Sequence, residues 1–352
     1  MSRPTLLDVA KRANVSKSTV SLVLNNSERI PAPTAARVWQ AVRELDYVPS
    51  RTARALKSGR SCMLGLIVSD ITNPYFAELT RTVAAAAATA GYDLVTLDTN
   101  YDPAMLAVHL DHLHTHRIDG LFMFTTERDL TLLPKLEQAR LPTVLLNWGV
   151  TDVEAGTPGS GAVDVGEIVV RYDSGIAALL DHLLTLGHRR LAFVAGPTGY
   201  FSAEGRADAF RRVVAARRSQ LAEPCYLQSD FRLGADVDTA VVDELLAMDA
   251  AVRPTAIVAS NDLMAISLLR ALYSRRIAVP ARMSVTGMDD IAFAGYTTPA
   301  LTTLRLPRRQ MALHAFEMLR RYIEKEPLPA GNRVTVDMRL MVRESTGPAP
   351  QA

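Results

Sequence analysis

Apolar residues near the start of the chain recur at helical spacing as Leu6, Val9, Ala10 and Ala13, stop at Asn14-Val15-Ser16, and resume as Val20, Val23 and Leu24. The pattern predicts two short helices sharing an apolar seam, with Asn14 suited to a left-handed turn and Ser16 to capping the second helix. Two helices joined in this way form a helix-turn-helix. On the second, Lys17, Ser18, Ser21 and Leu22 face outward, while Thr19 and Val20 begin the inner side. After Pro31 and Pro33, Thr34 is placed to cap a third helix with Val38, Trp39, Val42 and Leu45 on its apolar face. Tyr47 and Pro49 close this all-α head. The signature is loose, and a three-helix bundle of no particular purpose would show the same pattern.

Residues 50 to 61 read as a short helix around Arg51 to Lys57 stopped by Gly59, or as a flexible basic linker, since so few residues do not hold a helix in water unaided. From Met63 the pattern changes to short apolar strands alternating with amphipathic helices. Strands are expected at 63–68, 93–97, 121–124, 143–146, 191–195, 256–259 and 284–287. Helices are expected from Pro74 to about Ala90 and near 104–116, 131–140, 174–186, 202–218, 234–247 and 262–275. Such alternation gives parallel α/β sheets, and this length of it divides into two lobes. Polar loops at the carboxyl ends of parallel strands collect at a ligand crevice. Here those loops carry Asp70 to Asn73, Thr125-Thr126-Glu127, Asn147-Trp148, Asn261-Asp262 and Asp289-Asp290.

Charge sharpens the division. Residues 1 to 60 hold 11 Lys/Arg against 4 Asp/Glu, a net +7, whereas the whole chain of 352 residues carries only +2. A basic head on a mildly acidic body is the asymmetry expected when one end neutralises phosphates and the other does not. No leader and no apolar run of membrane-spanning length is evident, so a cytoplasmic protein with no membrane partner is expected. Cys62 and Cys225, far apart, argue against a disulfide framework or a zinc site. His109, His112 and His116 share a helical face, but with no Cys nearby an exposed peripheral helix is the plainer reading. Gly159-Ser160-Gly161 lacks the setting of a nucleotide fingerprint, and no GxxxxGK[ST], GxSxG or HExxH occurs. Neither a cofactor nor a metal is expected.

In order along the chain, D-V-A-K-R-A-N-V-S-K-S-T-V-S-L-V-L-N, Y-V-P-S-R-T-A-R-A-L-K-S-G-R, N-P-Y-F-A-E-L, L-G-H-R-R-L-A-F-V-A-G, R-A-D-A-F-R, S-N-D-L-M-A, S-V-T-G-M-D-D and P-A-L-T-T-L resemble the landmarks of the lactose-repressor (LacI/GalR) family of transcription regulators. The resemblance implies a homodimer whose heads read a palindromic double-stranded operator. It also implies a hinge helix in the minor groove and a two-lobed core, similar to periplasmic binding proteins, that takes a small effector. By position, Lys17, Ser18 and Leu22 would face bases, with Thr5, Ser16, Thr19, Ser21 and Asn25 near phosphates. Leu22 departs from a position that is more often polar or basic in the family, and offers apolar contact such as a thymine methyl. In the hinge, Ala53 and Leu56 would enter the minor groove, Leu56 as a wedge, while Arg51, Arg54 and Lys57 hold phosphates. The same resemblance places Asp70, Asn73, Phe76, Thr125, Asn147, Arg206, Phe231, Asn261 and Asp289 around the effector, a set suited to a sugar or sugar derivative. Asn147 stands where the family commonly has Asp, and Arg171-Tyr172 where it often has Asp-Asn.

The expected organisation is therefore a head over 1–49, a hinge over 50–61, a two-lobed effector-binding and dimerisation core over 62–346, and a tail over 347–352. Residues 151 to 166 look like an enlarged flexible loop near the pocket mouth. The tail lacks apolar heptads, which favours a dimer over a tail-bundled tetramer. A repressor gated by a small molecule is the leading function, and a cytoplasmic sugar-binding protein or sugar-processing enzyme with an accessory head is the alternative. The absence of a nucleophile and base constellation speaks against the enzyme.

Overall fold

The computed structural model describes residues 4–24, 30–47, 60–115, 118–149, 164–233, 236–329 and 331–351. Asn25, Arg51, Ala53, Arg54, Leu56, Lys57, His116 and most of the 151–166 loop lie outside these residues. The chain divides into two units, Met1–Cys62 and Met63–Ala352.

In the first unit, α1 (Leu6–Ala13), α2 (Lys17–Leu24) and α3 (Ala32–Glu44) enclose Val9, Ala10, Ala13, Val20, Val23, Val38, Ala41 and Tyr47. Asn14 is left-handed at φ 51°, and Ser16 Oγ accepts the Thr19 amide at 3.1 Å, as the turn requires. Two details differ from expectation. Thr34 lies inside α3, because Pro33 fits a first helical turn whose amides have no intrahelical partner. Trp39 is exposed, since the buried face of α3 centres on Val38 and Ala41 and leaves its neighbour on the rim.

The second unit holds two six-stranded sheets. The first has the order β11-β5-β4-β3-β1-β2, all parallel, from β1 (Met63–Val68), β2 (Asp93–Asp98), β3 (Gly120–Phe124), β4 (Thr143–Leu146), β5 (Val165–Arg171) and β11 (Arg333–Asp337). The second runs β12-β10-β9-β8-β6-β7, from β6 (Leu191–Ala195), β7 (Cys225–Gln228), β8 (Ala256–Ala259), β9 (Ser284–Asp289), β10 (Thr302–Arg305) and β12 (Arg339–Met341), with only β12 antiparallel. Central strands such as M-L-G-L-I-V are continuously apolar because helices cover both faces. In chain order the helices are α4 (Pro74–Thr89), α5 (Ala104–Thr115), α6 (Leu133–Ala139), α7 (Tyr172–Thr185), α8 (Phe201–Ala215), α9 (Asp236–Ala247), α10 (Asp262–Ser274) and α11 (Arg308–Glu324).

The lobes are not consecutive in sequence. The chain passes between them at Arg171-Tyr172, again between β10 and α11, and a third time at Met338, between β11 and β12. Helix α11 was not among the expected elements, although Met311, Ala312, Ala315, Phe316, Leu319 and Tyr322 carry helical spacing and are buried. It follows the last strands of the second lobe yet packs on α4 and β5 of the first. Where it crosses β5, a Cβ on Gly166 would collide with Met318 Sδ, so glycine permits the close approach. Residues 165 and 166 thus belong to this strand and not to the expected loop. The expected tail is also corrected. Gly347 N donates to Ser284 Oγ at 3.2 Å and Ala349 N to Leu186 O at 2.8 Å, which stitches the segment into the second lobe.

Candidate functional site

The head presents a small polar surface. Thr5 and Asp8 form a reciprocal cap on α1, with Thr5 N donating to Asp8 Oδ2 at 2.8 Å and Asp8 N to Thr5 Oγ1 at 3.4 Å. At the start of α2, Ser16, Lys17 and Ser18 are exposed, as is Leu22, with Thr19 and Ser21 half-buried beside them. Ser16 Oγ also lies 2.7 Å from Ser18 Oγ and 2.8 Å from Thr19 Oγ1, so one hydroxyl cluster fixes the first turn. A short helix with small polar residues at an exposed N-terminal end suits entry into a major groove.

In the second unit a cavity lies between the carboxyl ends of the two sheets. Asn73, Phe76, Thr125, Asn147, Arg206, Phe231, Asn261 and Asp289 line it, together with Tyr75, Tyr101, Tyr172 and Ser202. Asp70 is not among the lining residues. Its Oδ1 instead accepts Thr72 N at 2.8 Å and Thr72 Oγ1 at 2.6 Å, the local bond by which an aspartate closes its own turn.

Two of the helices that begin at the cavity are capped by lining asparagines. Asn73 Oδ1 caps α4 through Tyr75 N at 3.0 Å, and Asn261 Oδ1 caps α10 through Met264 N at 2.8 Å. Each cap uses one acceptor site of its asparagine oxygen, and Asn73 Nδ2 also donates to Tyr101 OH at 3.4 Å. Thr125 Oγ1 donates to Glu127 O and accepts from Trp148 Nε1, which positions the loop and leaves the hydroxyl little further capacity.

The charged centre is the buried pair Arg206 and Asp289, with Nη2 and Oδ1 2.9 Å apart. Arg206 Nη1 donates to Ser260 O, while its buried Nε has no hydrogen-bond partner among the described residues. Burial opposes the Arg206 charge, but Asp289 and then Tyr172 outweigh it and hold the guanidinium firmly protonated. Burial pushes both Asp262 and Asp289 up. Asp262 rises further because Asp289 repels it, whereas Arg206 and Arg308 pull Asp289 back. The negative charge of the two carboxyls therefore sits on Asp289, where Arg206 meets it. Asp289 (φ 118°) and Asp290 (φ 56°) both have left-handed backbone, a strain that persists only where surrounding bonds enforce it. Arg308 supplies those bonds by donating to both of their carbonyls.

Across the cavity mouth the lobes meet directly. Tyr200 OH donates to Tyr101 O at 2.8 Å, and Tyr101 stacks on Phe231 with centroids 5.8 Å apart. Arg128 of the first lobe lies 3.7 Å over the ring of Phe201 at the start of α8. Of these aromatic residues only Phe231 was expected from the sequence. Tyr75 adjoins the expected Phe76, but Tyr101, Tyr172 and Tyr200 reach the site only through the fold.

Residues 5–50 match the model of the bacterial regulatory proteins, lacI family, and residues 180–346 that of the periplasmic binding protein-like domain. The chain is 32% identical over 316 residues to the HTH-type transcriptional repressor PurR of Aliivibrio fischeri (strain MJ11), covering 90% of each. It is 31% identical over 319 residues to the ribose operon repressor of Escherichia coli (strain K12), covering 90% of this chain and 92% of that protein. Among solved structures, the Lac repressor dimer bound to operator and the anti-inducer ONPF matches with a TM-score of 0.83 at 24% identity, covering 98% of this chain and 100% of the other. This last likeness is one of fold.

Proposed function

Because the chain belongs to the lacI family of bacterial regulatory proteins, we propose that it is a sequence-specific DNA-binding transcription repressor controlled by a small molecule held between its two lobes. The observation that carries this reading is Arg206. A buried guanidinium with two nitrogens engaged and Nε unpartnered, beside an ionised aspartate, is a site prepared for a ligand that both accepts and donates hydrogen bonds.

A sugar or sugar derivative fits best. Vicinal hydroxyls satisfy an Arg and Asp pair together, aromatic rings cover the faces of a pyranose or furanose, and one relative is named for the ribose operon. Arg206, Asp289, Asn261, Asn73, Phe76 and Phe231 are the proposed contacts. Thr125 and Asn147 shape the wall, and Asp70 supports from outside. In the head, Lys17, Ser18 and Leu22 read bases, while Thr5, Ser16, Thr19 and Ser21 lie near phosphates. The protein works in the cytoplasm as a homodimer on a palindromic operator, and among the described residues no helix is long and apolar enough to cross a membrane. The exposed aromatic residues Phe293 and Tyr296 on the second lobe are of the kind a second copy covers.

Binding-site selection from random DNA, repeated with and without a panel of sugars, tests both halves. A single enriched palindrome whose recovery changes with one sugar is the expected result. No enrichment would refute the regulator, and enrichment indifferent to every sugar would refute the carbohydrate effector.

A further inference from the structure

The first passage of the chain between the lobes ends on an aromatic ring that spans the cavity wall. Tyr172 opens α7 and is buried. Its hydroxyl accepts from Asn147 Nδ2 at 3.0 Å, on the first lobe. Its ring faces the second lobe, 5.6 Å from the guanidinium carbon of Arg206, and a Cβ on Gly205 would lie 3.6 Å from its Cε2. Asn147 is itself fixed, left-handed at φ 55° and with Oδ1 accepting Val170 N at 3.1 Å. Both ends of that amide are engaged by the protein. The phenol is therefore held at its hydroxyl and along its ring.

The space left for water-sized molecules is only about 30 Å³. Ordinary small-molecule sites hold roughly 300–1,000 Å³, so a ligand enters by parting the lobes. Parting them displaces the mouth, where Tyr101, Tyr200 and Phe231 meet across the cleft. Tyr172 sits at the strand-to-helix junction where the chain first crosses between the lobes, so parting them moves it less than it moves the mouth. The unpartnered Nε of Arg206 and the Asp289 carboxylate line the same cavity as this ring and as Tyr101 and Phe231 of the mouth. A ligand over which the mouth closes again must fit beside the Tyr172 ring.

We propose that Tyr172 is a specificity-determining residue that limits the effector to a single sugar ring. This deepens the carbohydrate reading above and rests on it. The ring acts by occupying space where a second sugar unit would extend. Its hydroxyl bond to Asn147 keeps it from swinging aside and withdraws Asn147 from ligand binding.

The test uses the full chain, with Tyr172→Ala, Tyr172→Asn and Tyr172→Phe. Thermal shift followed by calorimetry is run against D-ribose, D-glucose and D-galactose as one-ring probes and cellobiose and lactose as two-ring probes. Circular dichroism checks that each variant is folded. The expected result is that the unaltered protein binds at least one single-ring probe and neither two-ring probe. Tyr172→Ala or Tyr172→Asn should gain at least tenfold in affinity for a two-ring probe and weaken for the one-ring probe. Tyr172→Phe should keep the size limit, because the ring remains. Two-ring binding to the unaltered protein overturns the proposal even if no variant folds. So does a folded Tyr172→Ala or Tyr172→Asn that binds one-ring probes alone. Binding of no sugar by any of the proteins removes the carbohydrate reading itself, an outcome distinct from the other two because in those a sugar still binds.

Discussion

Nε of Arg308 lies 2.7 Å from Oε2 of Glu78, joining the start of α11 to helix α4 of the first lobe. The same guanidinium donates to the carbonyls of Asp289 and Asp290, so one side chain holds the strained turn that aims Asp289 into the cavity. Arg308 is almost wholly buried, whereas a third of the Glu78 side chain is exposed. Arg308→Ala should therefore cost about 3 kcal/mol of stability, the lower end for breaking a buried pair. Glu78→Gln should cost about 1 kcal/mol or less, since a solvated partner contributes little. Urea denaturation of the two variants checks this, and equal losses would place the stabilisation in the ion pair alone.

Within the cavity, Arg206→Ala and Asp289→Ala should each weaken effector binding by about 2–5 kcal/mol, because each leaves its buried partner unpaired. Asp70→Ala should change it little, as Asp70 bonds only its own turn. Calorimetry with the sugar giving the largest thermal shift measures all three. A loss at Asp70 matching that at Asp289 would bring the Asp70 turn into the site.

The head should lose its sequence preference when Lys17, Ser18 and Leu22 are exchanged together, each good base contact being worth about 1–3 kcal/mol. An unchanged selected motif would move base reading to another surface. Leu56→Ala, in the hinge expected from the sequence, should lower operator affinity and leave effector affinity of the DNA-free protein as it was.

Acid should loosen the second lobe. His188 Nε2 donates to Gly347 O at 3.0 Å and its Nδ1 meets Thr255 Oγ1 at 2.8 Å, while His182 Nε2 lies 2.9 Å from Thr346 Oγ1. Burial depresses both imidazoles, and for His188 the neighbouring His182 and Arg189 charges add to it despite the bond to Gly347. A depressed folded value means that the unfolded chain binds the proton more readily. The contribution is thus full above the ordinary histidine range, near 6.5, and is lost as pH falls through the lower folded values. Melting temperatures from pH 7.5 to 5 should fall, and His188→Gln should flatten that slope. A slope unaltered by the substitution would assign the acid sensitivity to other groups.

The sequence made the central strands and the helical head legible because burial on two faces, or on one helical stripe, leaves a strong periodic mark. The missed strands carry a weaker one. C-Y-L-Q, R-V-T-V-D and R-L-M lie at sheet edges and mix polar residues into short runs, in β5 Gly166 and Glu167 interrupt the apolar pattern, and the internal β10, T-T-L-R, has a single large apolar residue. In the site, family likeness located most of the lining but not what each residue does. Asn147 illustrates the gap. Its amide is consumed by Tyr172 and Val170, which lie 25 and 23 residues further along, and no local pattern announces that pairing. Asp70, expected in the site, bonds instead to its near neighbour Thr72, a local turn that family likeness does not reveal.

The three passages between the lobes set an order of events during synthesis. The helical head is complete once Tyr47 has left the ribosome, and the second lobe gains most of its sheet by Arg305. The first lobe, begun at Met63, still lacks the helix that covers β5 and the strand that pairs with it until residues 308–337 emerge. Neither lobe is a contiguous stretch of the gene, so no simple truncation releases one. A nascent chain halted before Arg308 would carry a finished head on an open-edged core, with the flank of β5 bare.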